Sequence, residues 1–416
     1  MKVLLVTLYF PPAGGGGVQR PLKFATHLPE LGIETHVLAP DDPKWIHRDE
    51  DLAPPTLAWV HRARYVGPVG RKPAEELHGT TGLDRLQRQA ALLGRRFLVP
   101  DENVSWNVTA IPTAIRIVRR EGIDVVITTS PPSSVHLIGA AVKRATGVRW
   151  VADLRDSLVA HPHRRAERLV VRAKEQTEHL VAKLVASQAD AIVAVSESIA
   201  EEMRARSPRG PVVHVSNGSD FDDFAGLDYR RGESFRITHT GSFFGRRDPR
   251  PFLTALAQVD GVVARFVGDF RAADLEWAEG LGLGDRLELI PYVPRRRSLG
   301  LQRDSEALLL LIPEADGRGR GVLSGKVFEY LAAERPILAL VPTDGAAARL
   351  LEETGASVVV APEDVEGTVR ALTDLRDRWR AGALDGTPLS DEWRRRLSRR
   401  SRVEEFTRLL ECVVCD

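Results

Sequence analysis

The 416-residue chain has little of several things that would settle its class at once. Its two cysteines, Cys412 and Cys415, form a Cys-x-x-Cys near the end of the chain. A redox or zinc role needs a βαβ context or a second ligand pair beside them, and the sequence offers neither, so both read as incidental thiols. Without a disulfide framework, the expected compartment is a reducing one. Formal net charge is only +1, so no overall field points to nucleic acid or to an acidic partner. No stretch of about 20 apolar residues occurs, which removes a membrane-spanning helix. The opening Met1-Lys-Val-Leu-Leu-Val lacks the charged region and long apolar run of a signal peptide. There is no internal repeat, no low-complexity tract, and no Asp-x-Asp pair behind a strand to hold a metal. The expectation is a soluble, cytoplasmic protein that takes no metal.

What is present is regular alternation. Length alone allows two domains of about 200 residues, each with its own core. Residues 3–8 form an unbroken apolar run, fit for a strand buried on both faces. A glycine-rich stretch, Tyr9 to Arg20, leads into an amphipathic helix to Leu31 and a strand over 34–39. Residues 41–100 carry scattered prolines and a polar helical stretch at 74–93. Strands follow at 124–129, 149–152, 189–195 and 212–215, with helices between them and a long arginine-dotted helix over 164–186. That helix reads as a solvated structural element, with a basic face on anionic lipid as the minority alternative. A second block of strands covers 235–240, 264–267, 287–290, 307–312, 337–341 and 357–360. A charged helical tail spans 390–410. This pattern predicts two doubly wound α/β domains, 1–224 and 225–395, followed by a terminal helix at 396–416.

Ligand candidates sit where such sheets place them, at the carboxyl ends of strands. Gly15, Gly16 and Gly17 let backbone approach a ligand after the first strand, and Arg20 lies within reach of a phosphate. A surface loop is the alternative. The spacing is not the dinucleotide-binding fingerprint. Asp153, Arg155 and Asp156 follow the 149–152 strand as candidates for acceptor contact or proton handling, against a helix cap with its own salt bridge. Paired carboxylates also suit a glycoside hydrolase. In the second block, Gly241 closes a strand before another helix start. Ser324-Gly325-Lys326 opens the helix over 326–333: Ser324 as N-cap, free first-turn amides, and a cation. Glu329 lies one turn on. An anion-binding turn, a cation and a carboxylate suit a nucleotide diphosphate, whose ribose hydroxyls Glu329 accepts; an ordinary αβ unit with a charged surface residue is the alternative. Arg295-Arg-Arg297 reads as a solvated face, since no aromatic residues interleave it, and Trp106 reads as packed.

The stretch Gly325-Lys-Val-Phe-Glu-Tyr-Leu-Ala-Ala-Glu-Arg-Pro-Ile-Leu338 resembles the donor-site segment of the family-4 retaining glycosyltransferases, which have the GT-B fold of two Rossmann-like domains facing a cleft. Tyr9 to Arg20, Trp150 to Asp156 and Ser216 to Asp220 also resemble that family's segments. The resemblance implies that Glu329 binds donor ribose, that Arg246 and Arg247 hold the diphosphate, and that the Tyr292 loop meets the base. It also implies that the terminal helix crosses back onto the first domain. Gly321 stands where the family's first signature glutamate is found. The implied function is retaining glycosyl transfer, hexosyl or related, from a nucleotide diphosphate sugar to an unidentified acceptor. That acceptor is a cell-surface polysaccharide, a glycolipid or a small metabolite; a lipid-linked one implies peripheral contact with the inner membrane face. No cofactor is implied. The rivals are a nucleotide-sugar epimerase of the same fold, a non-catalytic nucleotide-sugar-binding homologue, and a two-domain binding protein.

Overall fold

The computed structural model describes residues 1–42, 47–68, 98–159, 169–243, 247–314 and 319–415. The chain divides into two compact units, the described residues up to Ser216 with those from Arg402 onward, and Asn217–Ser401.

In the first unit the elements run β1 (Lys2–Thr7), α1 (Gly16–Glu30), β2 (Glu34–Pro40), β3 (Trp59–Ala63), α2 (Asn107–Glu121), β4 (Val125–Ser130), α3 (Val135–Thr146), β5 (Arg149–Leu154), α4 (Leu169–Gln188), β6 (Ala191–Ala194), α5 (Glu197–Arg204) and β7 (Val212–His214). The strands form one parallel sheet in the order β3-β2-β1-β4-β5-β6-β7. Val3, Leu4, Leu5 and Val6 are all fully buried because helices cover both faces of β1. Val3 and Leu5 point to Phe24 and Leu28 of α1. Leu4 and Val6 point to Ala110, Ala114, Ile138 and Val142 of α2 and α3. The order reverses between β1 and β4, and ligands of open α/β sheets bind outside the strand ends at such a reversal.

The second unit runs β8 (Phe235–Thr240), α6 (Arg250–Leu256), β9 (Val262–Val267), α7 (Ala272–Gly280), β10 (Leu287–Ile290), α8 (Arg295–Arg303), β11 (Ala307–Leu311), α9 (Gly325–Ala333), β12 (Ile337–Leu340), α10 (Ala346–Thr354), β13 (Ser357–Val360), α11 (Val365–Arg380) and α12 (Asp391–Leu397). Its parallel sheet has the order β10-β9-β8-β11-β12-β13, reversing between β8 and β11. One face packs on α6 and α11 through Phe252, Leu256, Leu372 and Trp379. The other packs on α9 and α10 through Phe328, Leu331, Ala348 and Leu351.

The last helix, α13 (Arg399–Cys415), starts in the second unit and from Arg402 belongs to the first. Val403, Phe406, Leu410 and Val413 join the core formed by Phe24 and Leu28, with the Phe24 and Phe406 rings stacked 4.6 Å apart. A single helix over 390–410 is therefore not what forms. Ser398 is extended (ψ 143°), because Ser219 donates its N–H to Leu397 and accepts one from Arg399. The unit divisions at 216/217 and 401/402 also differ from the expected 224/225 and 395/396, since Phe224 and Leu397 pack in the second unit's core. β3 falls in the proline-scattered stretch that gives no strand signal. The helix expected over 74–93 and the start of the one expected over 164–186 lie outside the described residues. Among the described residues no helix is long and apolar enough to cross a membrane.

Candidate functional site

The reversal between β8 and β11 carries the densest group of predicted residues. β8 ends at Thr240, and Gly241 follows with φ +126°, a left-handed backbone that favours glycine. A Cβ there would collide with Nζ of Lys326, so glycine at 241 is what lets that ammonium lie across the strand end. Lys326 makes no hydrogen bond or ion pair among the described residues. Arg247 stands nearby and donates from Nη1 to the Ser242 carbonyl at 3.2 Å. Burial, then Arg247, push the Lys326 amine well below its usual range, against an opposing pull from Glu329. Burial also lowers Arg247. Beneath them His239 is fully buried, with Nδ1 2.9 Å from the Leu309 carbonyl and Nε2 without a partner among the described residues. Its pKa is held well down by burial, then by Lys326 and Arg247. Two neighbouring basic side chains over a neutral histidine make a receptacle for an anion, which in turn favours the charged form of Lys326.

α9 begins beside this pair. Ser324 takes the N-cap position with extended backbone (ψ 153°), but its hydroxyl makes no capping bond. The expected side-chain cap is thus corrected, and Gly325 beside it is exposed with open space around it. The first-turn amides of α9 keep no side-chain acceptor from Ser324, which suits an incoming anion. Glu329, one turn on, accepts from Arg295 Nη1 at 2.7 Å and from Gln302 Nε2 at 2.6 Å. Burial alone would raise its carboxyl, but Arg295 and Gln302 outweigh it and hold the group below the usual carboxylate range. Tyr330 lies under the strand end, its hydroxyl accepting from Thr240 N–H at 2.8 Å, with burial pushing it up to about 12. Tyr292 is half-buried in the loop between β10 and α8. Arg246 lies outside the described residues.

Arg295, Gln302 and His239 are absent from the sequence-based list. Arg295 is 13 % exposed and ion-paired to Glu329 and to Asp223, which corrects the expectation of a solvated face at that position, while Arg296 and Arg297 are exposed as expected. The missed signal is spacing: 295 and 302 are seven apart, two turns on one face of α8.

In the first unit, Gly15 (φ +89°) is the N-cap of α1, and Gly16 and Gly17 start the helix. A Cβ on Gly17 would sit 3.1 Å from the Tyr9 ring. Arg20 is closed on Asp153, which is fully buried in β5: Nη2 donates to Oδ1 at 2.8 Å and Nε to Oδ2 at 3.0 Å. Arg20 also donates to the Val215 and Ser216 carbonyls, and Thr129 donates to Asp153 at 2.7 Å. Arg20 is therefore a structural ion pair rather than a phosphate ligand, and Asp153 has no oxygen left facing solvent. Arg155 donates to the Gly17 carbonyl at 2.7 Å, tying the glycine loop to β5, and burial lowers its pKa. Asp156 alone of the three is exposed. The start of α3 is occupied by the chain's own Asp101, which accepts from Ser134 N–H at 2.7 Å. Trp106 is fully buried, packed as expected. Among the described residues no group of three or more His, Cys, Asp or Glu is placed to hold a metal.

Known proteins share this architecture. A sucrose-phosphate synthase from Thermosynechococcus elongatus superposes with TM-score 0.67 at 14% identity, over 100% of this chain and 99% of that one. HepE of Anabaena, solved with UDP-glucose, gives 0.66 at 14% identity, over 99% of this chain and 100% of the other. A candidate UDP-N-acetylglucosamine 2-epimerase from Listeria monocytogenes gives 0.54 at 13% identity, over 99% and 95%. By sequence, no curated protein matches. The fold is thus the GT-B fold of these glycosyltransferases. The family model of Glycosyltransferase Family 4 matches residues 14–223, just over half of the sequence, and the chain belongs to glycosyltransferase family 4.

Proposed function

We propose that the protein transfers a glycosyl group, with retention, from a nucleotide diphosphate sugar to an acceptor, and that the donor diphosphate lies at the β8–β11 reversal. The observation that carries this is the Lys326 side chain, without a hydrogen bond or ion pair among the described residues, held across the end of β8 at the start of α9 with the Arg247 guanidinium nearby. Lys326, Arg247 and the α9 amides hold the two phosphates; Glu329 accepts from the ribose hydroxyls; Tyr292 lies toward the base. Positive charge at this position offsets the charge that grows on the leaving phosphate as the glycosidic bond breaks. Asp156, exposed at the end of β5, is the acceptor-side candidate, while Asp153 and Arg155 shape the loop behind it. With no enzymic nucleophile assigned, the leaving phosphate takes the acceptor's proton on the front face.

A thermal-stability screen with UDP, GDP, ADP and TDP, and the matching nucleosides as controls, tests the donor site. A ligand at 100 times its dissociation constant adds about 2.7 kcal/mol. Stabilisation by one diphosphate and not by its nucleoside is expected; none with any diphosphate overturns the assignment. Product NMR tests retention, and inverted anomeric configuration excludes it. Donor turnover with no acceptor present supports the epimerase alternative.

A further inference from the structure

Glu329 is not a free carboxylate waiting for a ligand. Each of its oxygens already accepts one protein hydrogen bond, Oε2 from Arg295 at 2.7 Å and Oε1 from Gln302 at 2.6 Å. A carboxylate oxygen accepts twice, so one lone pair on each oxygen is left for a ligand. The two donors are themselves fixed. Gln302 is fully buried and also donates to Thr240 Oγ1 at 3.1 Å. Arg295 reaches back to Asp223 at 2.9 Å through its other terminal nitrogen. The guanidinium is thus stretched between two carboxylates in a rigid fork, and the Glu329 plane has little freedom to turn.

We propose that Arg295 is a positioning residue that sets ribose recognition: by fixing the Glu329 carboxylate edge-on to the site, with Asp223 as its anchor, it presents two acceptors to two neighbouring hydroxyls at once. This rests on the assignment of a nucleotide ribose to Glu329. A carboxylate free to rotate satisfies one hydroxyl as readily as two, so the fixed plane distinguishes a ribonucleotide from its 2′-deoxy form. Diphosphate affinity as such belongs to Lys326 and Arg247 and does not depend on Arg295.

The test measures dissociation constants of UDP, GDP and ADP, their 2′-deoxy forms and their monophosphates, on the full chain and on Arg295→Met. For the diphosphate that binds, wild type should prefer ribose over 2′-deoxyribose by about tenfold or more, one hydrogen bond to a charged acceptor. In Arg295→Met that preference should fall below about threefold, while the ratio of diphosphate to monophosphate affinity stays the same. Should Arg295→Met fail to fold, Asp223→Asn releases only the far end of the guanidinium and should lower the preference part of the way. An unchanged ribose preference in either folded variant overturns the role of Arg295. A wild-type protein that binds a diphosphate without any ribose preference overturns the Glu329 assignment instead, and the inference with it.

Discussion

Lys326 is the single side chain whose chemistry depends most on what it meets. Burial and Arg247 disfavour its charged form, whereas a diphosphate favours it. At pH values above the amine's lowered pKa, binding therefore takes up a proton. Above the range in which the diphosphate itself titrates, affinity should fall as pH rises through the amine's lowered pKa, by at most one decade per pH unit. Lys326→Met should weaken binding about tenfold or more and flatten that profile, as titration calorimetry across pH will read. His136 makes the opposite kind of prediction, on stability. It is fully buried in α3, its Nδ1 2.8 Å from Thr128 Oγ1, which also accepts from Trp150 Nε1 at 2.8 Å. Burial pushes its pKa from 6.5 down to about 4. Between those values the unfolded chain binds the proton and the folded chain does not, so stability is lost as pH falls through this window. The loss is at most about 1.4 kcal/mol per pH unit and about 3 kcal/mol in all. His136→Asn keeps a bonding partner for Thr128 without the titration, and its urea midpoint should fall less between pH 7 and 4.5 than wild type's.

At the scale of elements, the junction of β8 with α9 depends on Gly241 more than on any propensity of the flanking segments. Gly241→Ala forces a side chain into a left-handed backbone and against Lys326 Nζ together. It should cost about 1–3 kcal/mol in thermal unfolding and also weaken diphosphate binding. Gly325→Ala, with open space around it, should change stability by no more than about 0.5 kcal/mol. Elements set by local pattern were legible in the sequence. β1 was, because a strand covered on both faces is written as an unbroken apolar run; α9 was, because a serine-glycine turn precedes it and an apolar strand follows Pro336. What escaped depends on distant partners. Nothing near Arg295 announces that Glu329 and Asp223, 34 and 72 positions away, will bury it. Nothing in the charged tail announces that Ser219 will break it at Ser398. Arg20 looked free for phosphate because its acceptor, Asp153, lies 133 residues on.

At the scale of the whole molecule, the first unit is discontinuous in sequence, and its core is completed by residues from Arg402 onward, beyond the whole of the second unit. Phe406 is fully buried and stacks on Phe24, with Val403, Leu410 and Val413 beside it against α1 and the sheet. Removing that ring leaves a cavity under α1, the helix that also carries Arg20 and starts at the glycine loop. Phe406→Ala should cost the first unit about 3–5 kcal/mol. The second unit's core takes none of these side chains, drawing instead on Phe224, Leu389 and Leu397. Chemical unfolding followed by a probe in each unit should therefore show the first unit's transition moving to lower denaturant while the second stays in place. Truncation after Ser401 is the stronger form: it strips the whole apolar stripe from α1, and the first unit should fail to fold while the second retains a cooperative transition. Equal shifts of both transitions in Phe406→Ala would mean that the two units unfold as one, and that the terminal helix stabilises the molecule as a whole rather than the unit whose core it fills.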